Sequence, residues 1–576
     1  MENESYSFFK ELGGFLRPYR LYYIASIIIA ILSVAATIAS YLLVGIIAGS
    51  LISGDYQNTS LIYLALGALA LKLGDAILLN ASTWISHHAA FNTLMDIRIG
   101  LSDKMRRLPL GYFEANGSGR LKTLLVDRIE GMEKTLAHMI PELTSNLLAP
   151  LAFIIWMMVI DYRIGLAVMA WIFIGFGVSA GMMRGYKEKY AGQINALKGM
   201  NQAIVEYVNG IEVIKGFGIK NDKLSSLSRK VYDHASYDIG WSKESQIYTS
   251  LSMGISPFST FIVLILGLIF YFNQSLAGGD LVILALLSLG IFQPLMKAMT
   301  YADNIAGMGT YAKEIRDVLD YKELNRGSLD RTDRIDIRLS NVSYSYDSNR
   351  LAIDDINLDI KEGEMVAICG ESGSGKSTIA KLLAGYFDKS SGDIYIGDNK
   401  IEDYSQEYLN ELIAYVDQDA YLFNISIMEN IRLGRKDATD SEIIEASIKC
   451  GIDSFIRGLP NGYNTICGDG GLSLSGGERE RITLARAMIK NAPIMLLDEP
   501  TASTDLENEY EILKSLLSVT KNKTLIVIAH RLYTIMKADK ICVMNAGRIE
   551  AIGTHQELIE KSPTYKRLIS KEVEVC

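Results

Sequence analysis

The sequence predicts two structural parts, an α-helical membrane domain in the first half and an α/β domain in the second. Its 576 residues are too many for one hydrophobic core. The first half contains long apolar runs with very few charges, whereas the second half alternates short β-rich runs with helical ones. The overall content of 49% hydrophobic residues agrees with a chain that is part membrane and part soluble.

Charge and cysteine content argue against two classes of protein. The net charge of −9 offers no basic surface for nucleic acid, so we expect no nucleic-acid partner. All five cysteines fall in the second half and form no CxxC pair. This pattern indicates free thiols in a reducing cytosol rather than a disulfide framework or a zinc site.

Residues 1–20 precede the first apolar run and are charged, without the apolar core or cleavage site of a signal peptide. Their apolar residues favour an amphipathic helix at the membrane surface, built on Phe8, Phe9, Leu12, Phe15 and Leu16. We therefore expect an N-terminal interfacial helix.

Residues 21–320 are predicted to contain six transmembrane helices, because about 20 apolar residues suffice to cross a bilayer. The last of them is the shortest apolar run, and we extend it past Lys297 toward Asp303. The six predicted spans are Leu21–Gly54, Leu61–Trp84, Leu143–Ile160, Ile164–Met183, Ile247–Phe272 and Leu281–Met296.

The basic residues predict the orientation of these helices. The short joints near Gly54, Tyr162 and Gly278 contain hardly any Lys or Arg, with Arg163 the exception. The two long connections carry the basic residues, namely Arg98, Lys104, Arg106, Arg107, Arg120 and Lys122 in one and Arg184, Lys187, Lys189, Lys215 and Lys220 in the other. Lys and Arg are enriched in the cytoplasmic loops of membrane proteins, so both connections and both termini are predicted to be cytoplasmic. The connections are predicted to be helical extensions of the spans.

Polar residues within the second span are candidates for function. Lys72 and Asp75 are three residues apart and can pair on one helix face, and Asn80 follows them. Ionisable groups inside a membrane suggest a functional site, but a structural ion pair explains these residues equally well. Adjacent His87 and His88 point apart on a helix, so we do not interpret them as metal ligands.

The pattern changes after Asp303. The polar segment 321–333 is predicted to be a linker, and residues 334–576 to form the α/β domain, because β-rich runs such as Asp336–Tyr346 and Met365–Cys369 alternate with helical ones. That alternation is typical of a largely parallel sheet.

A phosphate-binding loop is the clearest motif of the second half. The run from Gly370 to Ser377 reads G-E-S-G-S-G-K-S, which matches G-x-x-x-x-G-K-[ST] between a strand and a helix. Small residues let backbone N–H groups surround phosphate oxygens at a helix N-terminus. Lys376 would reach the β- and γ-phosphates, and Ser377 would bind Mg²⁺. The predicted contacts are Gly370, Ser372, Gly373, Gly375, Lys376, Ser377 and Thr378. A dinucleotide-binding G-x-G-x-x-G is a poor alternative, because Thr378 stands at its third glycine position.

An apolar strand ending in two carboxylates lies further along. In the run Ile494–Glu499, Asp498 would help to hold Mg²⁺, and Glu499 would polarise the attacking water. An acidic turn after a buried strand is common in isolation but improbable downstream of a phosphate-binding loop.

Further motifs resemble those of the ABC transporter ATPases. The run Leu474–Glu478, which includes Ser475, Gly476 and Gly477, is similar to the signature motif of that family. Three further residues resemble family motifs and follow the family's order. Tyr346 is similar to the aromatic residue that stacks on adenine, Gln418 to the Q-loop glutamine and His530 to the switch histidine. The resemblance implies ATP and Mg²⁺ as cofactors, with catalytic Glu499, His530 and Gln418 and with Ser377, Gln418 and Asp498 around the metal.

The membrane half resembles exporter-type members, in which six spans precede one ATPase domain. The likeness rests on two cytoplasmic segments, Pro109–Arg120 and Asn209–Lys215. Two features depart from the family pattern: Thr504 replaces leucine in the D-loop, and the signature continues Glu478-Arg479-Glu480-Arg481, with glutamate where glutamine is usual. Neither removes a catalytic group.

The resemblance implies a half-transporter in the bacterial inner membrane, with its ATPase domain in the cytoplasm. Because the signature motif of one ATPase domain faces the phosphate-binding loop of another, a second half-transporter is required. We favour a heterodimer, since segments 86–91 and 137–142 are similar to those of paired subunits, some of which handle siderophores. A small molecule, a peptide or a siderophore is the expected substrate, and membrane lipid surrounds the spans.

Three other classes of function share some of these features. A nucleotide-gated channel or regulatory subunit would use the same motifs, but intact Glu499 and His530 argue against it. A siderophore importer with the exporter fold stays open. A soluble ATPase of DNA repair or translation is excluded by the spans.

Overall fold

The computed structural model describes residues 8–54, 57–182, 184–217, 222–255, 258–347, 350–499, 523–529 and 531–575. The chain divides into two compact units. The first comprises Met1–Ser102 and Lys122–Asp320, and the second comprises Asp103–Leu121 and Tyr321–Cys576. Residues 103–121 of the first cytoplasmic connection thus pack with the α/β domain, although the sequence placed them in the membrane domain.

Twelve helices precede the α/β domain in the described residues. Two π-helical turns, Thr123–Arg128 and Thr135–Met139, lie between consecutive helices, and Gly117 is non-helical (φ 63°, ψ 151°) within the helix that begins at Leu110. The helices are α1 Phe8–Leu16, α2 Arg20–Ser53, α3 Asn58–Arg107, α4 Leu110–Lys122, α5 Ile129–Lys134, α6 Ile140–Ile160, α7 Tyr162–Met182, α8 Tyr186–Asn209, α9 Ile211–Gly216, α10 Asp222–Ile255, α11 Phe258–Phe272 and α12 Gly278–Leu319.

The lengths and apolar composition of the helices agree with the prediction of several membrane-crossing helices. In the described part of the chain, five helical stretches are long and apolar enough to cross a bilayer, and a shorter apolar helix covers Tyr162–Val178. Each predicted span overlaps one of these stretches, and Met183 at the end of the fourth span lies outside the described residues. The count of six spans stays a prediction.

The N-terminal helix α1 presents an apolar stripe. Phe8, Leu12 and Leu16 are spaced four apart and are all buried. The helix packs against α12 within the first unit. Part of the apolar face that the sequence assigned to the membrane surface is therefore covered by protein.

The second unit contains ten strands and nine further helices among the described residues. The strands are β1 Ile337–Asp347, β2 Arg350–Ile360, β3 Met365–Gly370, β4 Ser391–Ile396, β5 Asn399–Lys400, β6 Ile413–Val416, β7 Ile494–Asp498, β8 Thr524–Ile528, β9 Lys540–Asn545 and β10 Arg548–Gly553. The helices are α13 Lys376–Leu383, α14 Gln406–Leu412, α15 Ile427–Arg432, α16 Asp440–Lys449, α17 Asp453–Gly458, α18 Gly476–Lys490, α19 Leu532–Met536, α20 His555–Lys561 and α21 Pro563–Val575.

Two sheets organise this unit. The six-stranded sheet has the order β10-β9-β3-β8-β7-β6, and all its pairs are parallel except β10 with β9. This confirms the prediction of a largely parallel sheet. A separate antiparallel sheet has the order β2-β1-β4-β5. The sequence did not predict it, because only β1 had been assigned among its strands.

The parallel strands are buried on both faces, which explains their uninterrupted apolar sequences. All residues of β3 and β7 are buried, and separate apolar clusters cover the two faces of the sheet. Because β3 and β7 are parallel to the same neighbour β8, their carboxyl ends lie at one edge. The phosphate-binding loop follows β3 at that edge, and Glu499 follows β7.

The predicted linker 321–333 belongs to the second unit and is held by specific bonds. The Arg326 guanidinium lies 3.0 Å from the Asp388 carboxylate, and the Leu329 N–H donates to the Asp403 carbonyl at 3.0 Å. The segment is therefore attached to the α/β domain along its length.

Candidate nucleotide-binding and catalytic site

The phosphate-binding loop has the backbone that its glycines predict. Gly373 and Gly375 adopt positive φ angles of 78° and 99°. A Cβ on Gly375 would also lie 2.7 Å from Ile353 Cγ2 and 2.8 Å from the Ala352 carbonyl. Side chains are thus excluded where the backbone must curve around a ligand. Ser372 is exposed on the same loop.

Lys376 begins helix α13 and is almost completely buried. Its ammonium donates to the carbonyls of Gly370 at 3.1 Å and Glu371 at 3.0 Å. Burial lowers the pKa of Lys376, while the carboxylates of Glu499 and Asp498 act in the opposite direction. The charge is held inside the loop by carbonyl dipoles, where an anionic phosphate would be its natural partner.

Ser377 and Asp498 join the loop to the acidic strand. The Ser377 hydroxyl donates to Asp498 Oδ1 at 3.2 Å. Asp498 is 1% exposed, and burial raises the pKa of its carboxyl, which the bond from Ser377 opposes. A buried carboxylate facing a hydroxyl provides the oxygen ligands that Mg²⁺ prefers. In addition, the buried Ser374 hydroxyl has no hydrogen-bond partner within the described residues. These groups fit a bound Mg²⁺ and phosphate.

Glu499 and Gln418 meet at the same edge of the sheet. The Gln418 amide donates to Glu499 Oε2 at 3.3 Å. Glu499 has a φ of 50°, which is uncommon for a residue with a side chain, and its N–H donates to the Ile528 carbonyl at 3.2 Å. A strained backbone fixed by the sheet directs this carboxylate, as is common at functional sites.

Tyr346 stands beside helix α13. Its hydroxyl lies 3.1 Å from the Thr378 hydroxyl, and its ring packs edge-on against Phe387 with 5.6 Å between centroids. The side chain is 52% exposed, so a face of the ring is open to a flat ligand.

A cavity of about 510 Å³ lies between Tyr346 and the phosphate-binding loop. This volume lies within the range of about 300–1,000 Å³ that is usual for small-molecule sites. The lining residues are Tyr346, Leu351, Ala352, Gly373, Gly375, Lys376, Ser377, Thr378, Ala546 and Gly547.

Four of these lining residues were missed in the sequence, namely Leu351, Ala352, Ala546 and Gly547. Ala546 and Gly547 form the tight turn between β9 and β10, with φ angles of 46° and 83°. The Gly547 N–H donates to the Ser374 carbonyl at 3.2 Å. The Asn-Ala-Gly run between two β-rich runs is a detectable hairpin signal, but only the fold brings it to the loop.

The signature-like segment lies at the start of helix α18. Ser475 is the N-cap residue, and its N–H donates to Glu478 Oε2 at 2.8 Å in a capping box. Ser475 is exposed, and Gly476 and Gly477 are half-buried. These three residues are absent from the lining of the cavity described above. Predicted His530 and Thr504 lie outside the described residues.

The polar residues predicted in the second span form local pairs. Lys72 Nζ lies 2.6 Å from Asp75 Oδ2, as the three-residue spacing predicted, and the Ser33 hydroxyl of α2 donates to Asp75 Oδ1 at 2.5 Å. Asn80 donates to the Ala76 carbonyl of its own helix at 2.8 Å. The described residues contain no group of three or more His, Cys, Asp or Glu side chains placed to hold a metal ion.

Comparison with known proteins identifies the family of both halves. The family described as ABC transporter matches residues 353–502, and the family described as ABC transporter transmembrane region matches residues 23–295. The chain is 31% identical over 488 residues to the ATP-dependent lipid A-core flippase of Saccharophagus degradans, and this match covers 83% of the chain and 81% of the flippase. The chain belongs to the ABC transporters. It is a half-transporter that fuses a transmembrane region with an ATP-binding domain, and a multi-pass protein of the plasma membrane.

Other ABC transporters match over most of the chain. The mycobactin import ATP-binding/permease protein IrtA of Mycolicibacterium smegmatis is 32% identical over 563 residues, which cover 96% of this chain. The chain spans only 65% of the length of IrtA. A structure of a bacterial Atm1-family ABC exporter with ATP bound superposes with a TM-score of 0.81 at 24% identity, covering 96% of this chain and 98% of that chain. This last match supports the fold of the ABC exporter.

Proposed function

We propose that this chain hydrolyses ATP and couples ATP binding and hydrolysis to alternating-access movement of a substrate across the membrane. The observation that carries the proposal is that hydrogen bonds link the predicted site residues to one another. The loop residue Ser377 reaches Asp498 at 3.2 Å, and Gln418 reaches Glu499 at 3.3 Å, at the same sheet edge. The ABC transporter family itself implies ATPase activity.

Each residue has a role that its position allows. Lys376 neutralises the β- and γ-phosphates, and Tyr346 stacks on the base. Ser377, Asp498 and Gln418 hold Mg²⁺, which supplies charge neutralisation at the phosphates when bound. Glu499 accepts a proton from the attacking water, directed by its constrained backbone and by Gln418. His530 assists at the γ-phosphate, as its resemblance to the switch histidine implies.

A second half-transporter completes the site. Ser475, Gly476 and Gly477 lie apart from the cavity lined by Lys376, and Ser475 is exposed. The backbone N–H groups at a helix N-terminus favour an anionic phosphate, here one presented by a partner domain. We favour a heterodimer over a homodimer on the likeness of segments 86–91 and 137–142 to paired subunits.

The test is ATP hydrolysis by the purified chain, with its partner half-transporter, in lipid nanodiscs. We expect Mg²⁺-dependent phosphate release that Lys376→Ala abolishes at the altered site, because the buried cation of the loop is lost. Lys361→Ala, an exposed lysine before β3, is the matched control and should be silent. Tight ATP binding retained by Lys376→Ala would contradict the assigned role. Ion current without hydrolysis in planar bilayers would instead support a nucleotide-gated channel.

A siderophore is the substrate class with a specific observation in its favour, namely the match to a mycobactin importer across 96% of this chain. Uptake of radioactive iron as ferric mycobactin by cells that express both half-transporters tests it. Uptake that depends on intact Glu499 supports import. Absence of uptake together with outward transport of a lipid or drug would support export, as the names of other relatives suggest.

A further inference from the structure

Tyr415 lies between two carboxylates of the candidate site. It is the third residue of β6, the edge strand that runs parallel to β7, and it stands beside Leu496 in the register. Its hydroxyl is 3.2 Å from Asp417 Oδ1 and 3.5 Å from Asp498 Oδ2. Its ring packs edge-on against Tyr386, with 5.4 Å between centroids. The hydroxyl is thus held at the point where the acidic strand and the Gln418 loop meet.

The two carboxylates have complementary partners. Asp498 Oδ1 accepts from Ser377, so Oδ2 is the oxygen that faces Tyr415. Asp417 Oδ1 accepts from the N–H of Gln418 at 2.9 Å as well as from Tyr415. One hydroxyl therefore joins the carboxylate of the proposed metal site to the loop that carries Gln418.

The charges explain why a donor is needed there. Asp417 and Asp498 are both acidic, and the Tyr415 hydroxyl lies within 3.5 Å of an oxygen of each. A tyrosine hydroxyl is protonated at neutral pH and is therefore a donor to these carboxylates. Without that donor, two like charges would face each other in a partly buried site.

We propose that Tyr415 is a positioning residue that holds the Asp498 carboxylate and the Asp417–Gln418 loop in the geometry that accepts Mg²⁺. The inference rests on the proposed ATPase function, because Asp498 matters as a metal ligand only in that reaction. Tyr415 itself acts through Asp498 and Asp417 and contacts neither substrate nor metal. Partners that orient a ligand of a metal commonly change metal affinity by about 10–100-fold when they are removed.

The test compares Tyr415→Phe with Tyr386→Phe in the reconstituted transporter. The first change removes the bridging hydroxyl. The second removes the hydroxyl of the neighbouring Tyr386 ring, which packs edge-on against Tyr415. For Tyr415→Phe we expect the Mg²⁺ concentration at half-maximal ATPase rate to rise about tenfold, with a near-normal rate at saturating Mg²⁺. Tyr386→Phe should match the wild type.

Binding provides a readout that is independent of turnover. Thermal stabilisation by ATP is measured with EDTA and with increasing Mg²⁺. In EDTA, ATP should stabilise Tyr415→Phe as much as it stabilises the wild type. In the Mg²⁺ titration, half-maximal stabilisation of Tyr415→Phe should require about tenfold more Mg²⁺. Adding Asp417→Asn should reverse much of that shift, since it removes one of the facing charges, whereas a merely structural defect would not be rescued.

Different results would overturn the role of Tyr415 and the proposed ATPase function. A wild-type transporter that binds Mg²⁺ with ATP but does not hydrolyse it would overturn the function and leave the Tyr415 binding test decisive. A hydrolysing wild type whose Mg²⁺ curves are unchanged by Tyr415→Phe would overturn the role of Tyr415 alone. An equal shift in the EDTA curve would assign the residue to general folding and would also reject the proposal.

Discussion

At the scale of single residues, the site combines a glycine-rich loop with fixed charges. The loop owes its curve to glycines at positive φ, and its lysine is held by two carbonyls. Glu499 keeps an uncommon φ of 50° because the sheet fixes its N–H. Motif spacing predicted each of these residues, because a phosphate-binding loop is local in sequence. The turn at Ala546 and Gly547 and the hydroxyl of Tyr415 enter the site only through strand pairing, so no local pattern could reveal them.

Tyr346 tests the base-binding side of the cavity. Tyr346→Ala should weaken ATP and GTP binding to a similar extent, because stacking does not read the edge of the base. The loss should be about 1–3 kcal/mol, by analogy with base–aromatic stacking in nucleic-acid proteins. Tyr346→Phe keeps the ring and loses only the contact with Thr378, so it should bind nearly normally. Calorimetry with both nucleotides measures this. Unchanged affinity with altered preference between ATP and GTP would contradict stacking.

At the scale of elements, the pattern of apolar residues predicted which segments are helices and which are strands. It did not predict the boundary between the two units. The apolar runs became helices α2, α3, α6, α7, α11 and α12, and the continuous apolar runs of β3, β7 and β8 became buried parallel strands. The change in composition predicts a boundary at residue 320. The structure instead assigns residues 103–121 to the second unit, because the start of α4 packs on α13 and on Phe387. A contact between distant segments leaves no mark on local composition.

The packing of α4 in the second unit can be tested at a glycine. A Cβ on Gly111 would lie 2.8 Å from Phe387 Cε1, whereas one on Gly119 would meet no atom within 4 Å. Gly111→Ala should therefore lower the melting temperature of the second unit, since overpacking costs about 1–3 kcal/mol. Gly119→Ala should be neutral or slightly stabilising, because alanine favours helix. Differential scanning calorimetry compares the two. Equal behaviour of both variants would contradict the observed contact.

The Lys72–Asp75 ion pair of α3, which also accepts a hydrogen bond from Ser33 of α2, provides a second test at this scale. In Asp75→Asn the Ser33 hydroxyl keeps an acceptor, but the Lys72 ammonium loses its carboxylate inside the membrane domain. We expect a lower melting temperature in detergent, and partial recovery when Lys72→Met is added, because an unpaired charge is costlier than none. Normal melting together with altered transport would instead place Asp75 on the substrate pathway.

At the scale of the whole molecule, one chain carries a single ATPase domain and one membrane region. The signature-like residues lie apart from the cavity of their own chain, so the proposed catalytic cycle requires two ATPase domains to close on ATP. Hydrolysis would then release the closed state, since the γ-phosphate contacts that hold it disappear. The sequence predicted this organisation through motif order, while the substrate leaves no comparable motif in the membrane half.

Steady-state phosphate release by the Glu499→Gln transporter, measured beside nucleotide occlusion, tests the central claim most directly. The amide keeps the shape of the side chain but cannot accept a proton, and general-base assistance contributes about 10²–10⁴-fold. ATP binding should survive, because Lys376, Ser377 and Asp498 are unchanged, and occluded ATP should accumulate. Glu362→Gln, at an exposed turn, is the control and should hydrolyse normally. In a dimer without another intact site, we predict almost no phosphate release and stable occlusion. Near-normal release by Glu499→Gln in that dimer would contradict the account.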